Sequence, residues 1–121
     1  MPFVDDLYEG IFCYALVHLL NTRQRKVFLE ARFSQLKPGG IMMYIVASKE
    51  TGLYGHGRWL SKDRFEIARG LKVFFYDPES VLKEFSKFGR IEYMNIEEPV
   101  KFMEGEKPVK MIQVTCSKDI E

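Results

Sequence analysis

At 121 residues, 46% of them hydrophobic, the chain has material for one core and one domain, residues 1–121. Eighteen basic against seventeen acidic residues leave a formal net charge of +1, which excludes the charge imbalance of a nucleic-acid or anionic-membrane binder and makes a neutral or small partner the default. Cys13 and Cys116 stand far apart in apolar settings, in neither a CxxC pair nor a metal-ligand spacing, so both read as reduced core residues of a cytoplasmic protein.

In chain order, Met-Pro-Phe-Val-Asp-Asp carries acids where an export signal would carry bases, and residues 1–8 read as a loop without a signal peptide. Gly10 to Leu16 is an apolar run of strand character. Either Asn21 or Thr22 can cap a helix, with Gln24 three residues after Asn21 as in a capping box, and the helix runs to about Leu36, burying Phe28, Leu29, Phe33 and Leu36. Arg23, Arg25 and Lys26 fall in its first turn, where the helix dipole disfavours cations; they read as a solvated face or as a mark of a phosphate or acidic partner. Lys37, Pro38, Gly39 and Gly40 stop the helix and turn the chain into Ile41 to Ala47, seven apolar residues in a row. A membrane span needs about 20 residues, so this run suits a strand covered on both faces. Its carboxyl end, Ala47, Ser48 and Lys49, should face a site.

Lys49 to Gly70 reads as a long polar connection carrying Tyr54, His56, Arg58 and Trp59, and connections of this length in small domains are usually functional. Val73 to Tyr76 is a brief extended piece. Asp77 caps a second helix that starts at Pro78, buries Val81, Leu82, Phe85 and Phe88, and ends at Gly89. Arg90 to Ile96 and Val109 to Cys116 are two more strands, joined by an acidic connection around Glu104, Gly105 and Glu106.

Met1-Pro2-Phe3 with Asp5, then Tyr8-Glu9-Gly10-Ile11-Phe12-Cys13 with His18-Leu19, then Leu36-Lys37-Pro38-Gly39-Gly40, then Phe75-Tyr76-Asp77-Pro78-Glu79-Ser80-Val81-Leu82 before Phe88-Gly89, resemble the C-terminal half of class I S-adenosylmethionine-dependent methyltransferases. The resemblance covers nearly the whole chain. It implies an α/β, three-layer, partial Rossmann-like sheet with two main helices, whose strands correspond to the family's fourth, fifth, seventh and sixth, in that spatial order, with the last strand antiparallel. It also implies S-adenosylmethionine as cofactor and a small-molecule methyl acceptor. The family grips its cofactor mainly through a glycine-rich loop after its first strand and an acidic residue after its second; no Gly-x-Gly-x-Gly follows a strand here, so weak or absent binding is expected of the chain alone.

By the same resemblance Cys13, Tyr14, Ala15 and His18 lie beside the methionine part of the cofactor, with His18 and Tyr14 the catalytic candidates. Each also suits a core or packing role, and a lone histidine in an apolar run is more often structural than catalytic. Tyr54, His56, Arg58, Trp59 and Tyr76 fall where the family builds its acceptor wall, and they also suit a loop packed against another chain. The strand at Gly10 to Leu16 should be a sheet edge, since the strand that normally pairs with it is missing. That points to a homodimer through the edge or to a partner chain supplying the other half. Two functions follow: an acceptor-side portion of a small-molecule methyltransferase, or a non-catalytic interaction module derived from one.

Overall fold

The structure, a computed structural model, describes residues 7–51, 54–98 and 109–120. The expected loop at residues 1–6 and the acidic connection at Glu104, Gly105 and Glu106 lie outside the described residues. Strand β1 spans Tyr8–Tyr14, helix α1 Thr22–Ser34, strand β2 Leu36–Ala47, helix α2 Pro78–Phe85, and three short strands fall between β2 and α2: β3 (Arg58–Ser61), β4 (Arg64–Ala68) and β5 (Leu71–Phe74). Strands β6 (Arg90–Glu98) and β7 (Val109–Ser117) close the chain.

The main sheet has the order β1-β2-β7-β6, with β1 parallel to β2 and β7 antiparallel to both of its neighbours. This is the expected strand order, with β1 at the edge. Strand pairing sets opposite residues on one face, so Ile11 and Cys13 share a face with Met42, Tyr44, Val46, Ile112, Val114 and Cys116. Leu29 of α1 and Val81, Phe85 and Phe88 of the α2 region pack onto that face and make the core. Phe12, Tyr14, Ile41 and Met94 occupy the opposite face and are exposed.

Helix α1 starts where expected: Asn21 Oδ1 accepts from the Gln24 amide at 2.8 Å and Gln24 Oε1 accepts from the Asn21 amide at 2.9 Å. It stops at Ser34, two residues short of the expectation. Leu36 already pairs with Tyr8, and Lys118 Nζ donates to the carbonyl oxygens of Phe33 (3.2 Å) and Leu36 (2.7 Å), satisfying groups that another helical turn would have used. The glycine turn survives as a register jump, from Tyr8↔Leu36 directly to Gly10↔Ile41. Gly39 sits there at φ +83°, and a Cβ on Gly40 would come within 2.9 Å of the carbonyl oxygens of Glu9 and Lys37.

Two further expectations need correction. Leu82 is exposed, because Val81, Phe85 and Phe88 form the inward stripe of the α2 region and Leu82 lies about 100° around it. Lys49 to Gly70 is also no plain loop. It folds into most of an antiparallel sheet, β3-β4-β5, turned by Asp63 at φ +61° and Gly70 at φ +76°. Phe65 and Ile67 project inward with Val73 and Phe75, and with Ala47, Leu19 and Tyr54 they form a second, smaller core at the carboxyl end of β2. Among the described residues no helix is long and apolar enough to cross a membrane, and no group of three metal-ligating side chains converges.

Candidate functional site

The carboxyl ends of the parallel pair β1 and β2 lie side by side, and the chain is distorted at the first of them. Ala15 follows β1 at φ +56°, a left-handed conformation that costs a residue with a Cβ about 1–2 kcal/mol, and its amide donates to the Ile45 carbonyl oxygen at 2.9 Å. The turn ends β1 two residues before the expected Leu16 and sends the chain into a short 3-10 turn, Val17–Leu19.

That turn swings His18 under the end of β2. The ring is buried, and its Nδ1 accepts from the Ala47 amide at 2.8 Å. Burial lowers its pKa from the ordinary 6.5 to about 4, so the imidazole is neutral at physiological pH. With Nδ1 used as an acceptor, the proton is assigned to Nε2. In this form His18 offers a hydrogen-bond donor, and it is not poised as a base. Cys13 turns toward the core, where burial raises its thiol pKa and disfavours the thiolate. Tyr14 lies half exposed on the open face of the sheet.

Beyond β2 the chain builds a charged clasp. Lys49 Nζ reaches Asp77 Oδ2 at 2.7 Å and Asp63 Oδ2 at 3.0 Å, and Tyr54 donates its hydroxyl to Asp63 Oδ1 at 2.7 Å. Partial burial opposes the charge on Lys49, but the hydrogen bonds to Asp77 and Asp63 outweigh it and hold the ammonium firmly protonated. Hydrogen bonds from Lys49 and from the Ser80 amide depress Asp77 to about 2. The clasp ties the β3–β4 turn, the end of β2 and the N-cap of α2 together at one point. Tyr54 also packs edge-on against Phe65 and Phe75, with centroids 5.6 and 5.5 Å away.

The other acceptor-wall candidates do not converge on it. His56 is exposed, Arg58 is exposed and paired with Glu66, and Trp59 presents 65% of its surface to solvent. Tyr76 is fully buried and donates its hydroxyl to Glu84 Oε1 at 2.8 Å, so in this chain it has no surface to offer an acceptor.

Arg23 and Lys26 are exposed, as a solvated face requires, but Arg25 departs from that reading. It is only 2% exposed, its guanidinium lies 3.8 Å from the Phe74 ring centroid, and it grips Glu84 in a two-pronged pair at 3.0 and 2.9 Å. A third bond, at 2.8 Å, goes to the Leu20 carbonyl oxygen. Neither this pair nor the Lys49 clasp was legible in the sequence, because 59 residues separate Arg25 from Glu84 and 28 separate Lys49 from Asp77. The only local signal was Asp77 as a helix cap.

No protein-family model and no curated protein matches the sequence. Solved structures do. A methyltransferase of Methanosarcina mazei described as S-adenosylmethionine-dependent superposes with a TM-score of 0.72 at 12% identity, over 100% of this chain and 64% of that one. An S-adenosylmethionine-dependent methyltransferase of Clostridium acetobutylicum gives 0.63 at 13%, over 98% and 61%. The glycopeptide N-methyltransferase MtfA, in complex with S-adenosylmethionine, gives 0.54 at 12%, over 93% and 59%. The chain thus has the fold of S-adenosylmethionine-dependent methyltransferase structures, and it spans about six-tenths of their length.

Proposed function

We propose that the chain is the acceptor-side, C-terminal portion of an S-adenosylmethionine-dependent methyltransferase acting on a small-molecule acceptor in the cytoplasm, completed by a second portion that carries the main cofactor grip. The observation that carries this reading is the sheet order β1-β2-β7-β6, with one antiparallel strand inserted between parallel ones and β1 left as an open edge. The flank next to that edge is also bare. Val27 is 60% exposed and, with Leu20, Phe28 and Ala31, lines an apolar groove along the outer side of α1. A strand beside β1 and a helix beside α1 would cover both surfaces.

The residues present fit the cofactor only in part. The strained Ala15 turn, the Tyr14 side chain and the Nε2 donor assigned to His18 stand at the end of β1, where they would orient the methionine portion. The glycine-rich loop and the ribose-holding acid are not among this chain's residues. Bound S-adenosylmethionine would supply an electrophilic methyl group. The chain's own part is to align an acceptor in line with that methyl, for which positioning matters more than a catalytic triad. Tyr54, fixed by Asp63, would meet the acceptor in this reading, while His56, Arg58 and Trp59 stand exposed on the same segment without converging on it.

The second reading, a non-catalytic module that dimerises by pairing β1 with its own copy, draws on the exposed Phe12 at 63%. The test expresses the chain with the coding sequence that precedes it, in frame. Transfer of an isotopically labelled methyl group to a pool of small acceptors is then compared with that of the chain alone. Labelled product from the extended protein only is expected. A lack of product from both, with a stable dimer of the chain, would favour the module.

A further inference from the structure

On the flank of α1 opposite the bare one, a groove of about 480 Å³ runs between α1, α2 and the β3–β4 turn, a size suited to a small ligand. Its floor is made by Phe74 and Phe88, each showing a narrow strip of surface, with the Arg25 guanidinium stacked on Phe74 and Leu29 buried beneath them. Hydroxyls of Thr22, Ser61 and Ser80 stand on its walls. Four lysines ring the mouth: Lys26, Lys62, Lys83 and Lys87.

The charge there is lopsided for a chain whose formal net charge is only +1. Both carboxylates of the groove are already committed, Glu84 to Arg25 and Tyr76, and Asp63 to Lys49 and Tyr54. Lys87 reaches Glu30 at 3.3 Å. Lys26, Lys62 and Lys83 have no ion-pair partner among the described residues, although they come from three separate elements and face one concavity. Like charges gathered around an apolar floor raise one another's energy until an anion joins them.

We propose that this groove binds a small organic phosphate, an aryl or alkyl phosphomonoester whose apolar end lies on Phe74 and Phe88 and whose dianion meets Lys26, Lys62 and Lys83. The apolar floor rejects a bare anion, and the lysines reject a neutral apolar molecule. The groove is lined by this chain's residues and lies on the flank of α1 away from the one beside β1.

The test is calorimetric titration of the full chain with phenyl phosphate, with inorganic phosphate and benzyl alcohol as the two half-ligands. Saturable binding of phenyl phosphate with Kd of about 0.1–1 mM is expected, with either half-ligand at least about tenfold weaker. Lys83→Glu and Lys62→Glu should each weaken phenyl phosphate about tenfold, whereas Lys110→Glu, on β7 away from the groove, should leave it unchanged. Amide resonances of Thr22 and Ser80 should shift on titration in the unmodified chain. Inorganic phosphate binding as tightly as phenyl phosphate, equal weakening by Lys110→Glu, or no saturation by about 10 mM would each overturn the assignment.

Discussion

His18 makes the stability of this protein depend on pH in a window that lies mostly above the one in which carboxylates titrate. Its imidazole is held neutral by burial, with a folded pKa of about 4 against an ordinary 6.5. A histidine depressed on folding binds its proton more tightly in the unfolded chain. Between the two values acid therefore favours unfolding: the contribution is complete above pH 6.5 and is lost as pH falls toward 4. At about 1.4 kcal/mol per pH unit the gap amounts to about 3 kcal/mol, a large share of the 5–15 kcal/mol that holds a typical domain together. His18→Asn keeps an acceptor for the Ala47 amide and removes the titration. Urea unfolding of both proteins from about pH 7.5 to about pH 4 should show their stability difference shifting by about 3 kcal/mol against the wild type, while carboxylate effects cancel. His18→Phe should cost about 1–3 kcal/mol even at neutral pH, because it orphans the Ala47 donor. Parallel stability curves for wild type and His18→Asn across that range would refute the buried, neutral imidazole.

Arg25→Met should destabilise by about 3 kcal/mol in urea titration, since it strands Glu84 beside a buried tyrosine, and adding Glu84→Met should recover part of that loss. Phe12→Lys, at the exposed edge, should dissociate a dimer of the isolated chain in sedimentation or abolish soluble expression; a wild-type monomer at micromolar concentration would contradict edge pairing. The isolated chain should bind S-adenosylmethionine weakly or not at all by calorimetry, and micromolar affinity would mean that the end of β1 suffices as a grip. In a completed enzyme, Tyr54→Ala or Trp59→Ala should change acceptor selectivity with cofactor affinity nearly constant, and unchanged kinetics with every acceptor would return both residues to a packing role.

Local chemistry in the sequence determined the elements that depend on neighbours along the chain. The Asn21/Gln24 box, the Asp77-Pro78 start of α2 and the glycine turn, which lies within β2, involve partners within a few residues, and these and the apolar runs of β1 and β2 formed nearly where the pattern put them. The order β1-β2-β7-β6 was reached through the family resemblance, since strand adjacency leaves no mark on periodicity. Tertiary structure alone decided the rest. Arg25 lies within a run of exposed-looking cations, and only the distant Glu84 and the Phe74 ring make its burial affordable. Asp63 reads as one half of an ordinary polar turn until folding brings Lys49 and Tyr54 to it. The β3-β4-β5 sheet escaped notice because its strands are four or five residues long and pair through turns rich in charge, so their alternation is weaker than the packing against Ala47 and Phe75 that stabilises them. His18 lies between these cases. Its place beside a strand end was legible, but its neutrality follows from burial and from the Ala47 amide, which the chain reaches only once the Ala15 turn has formed.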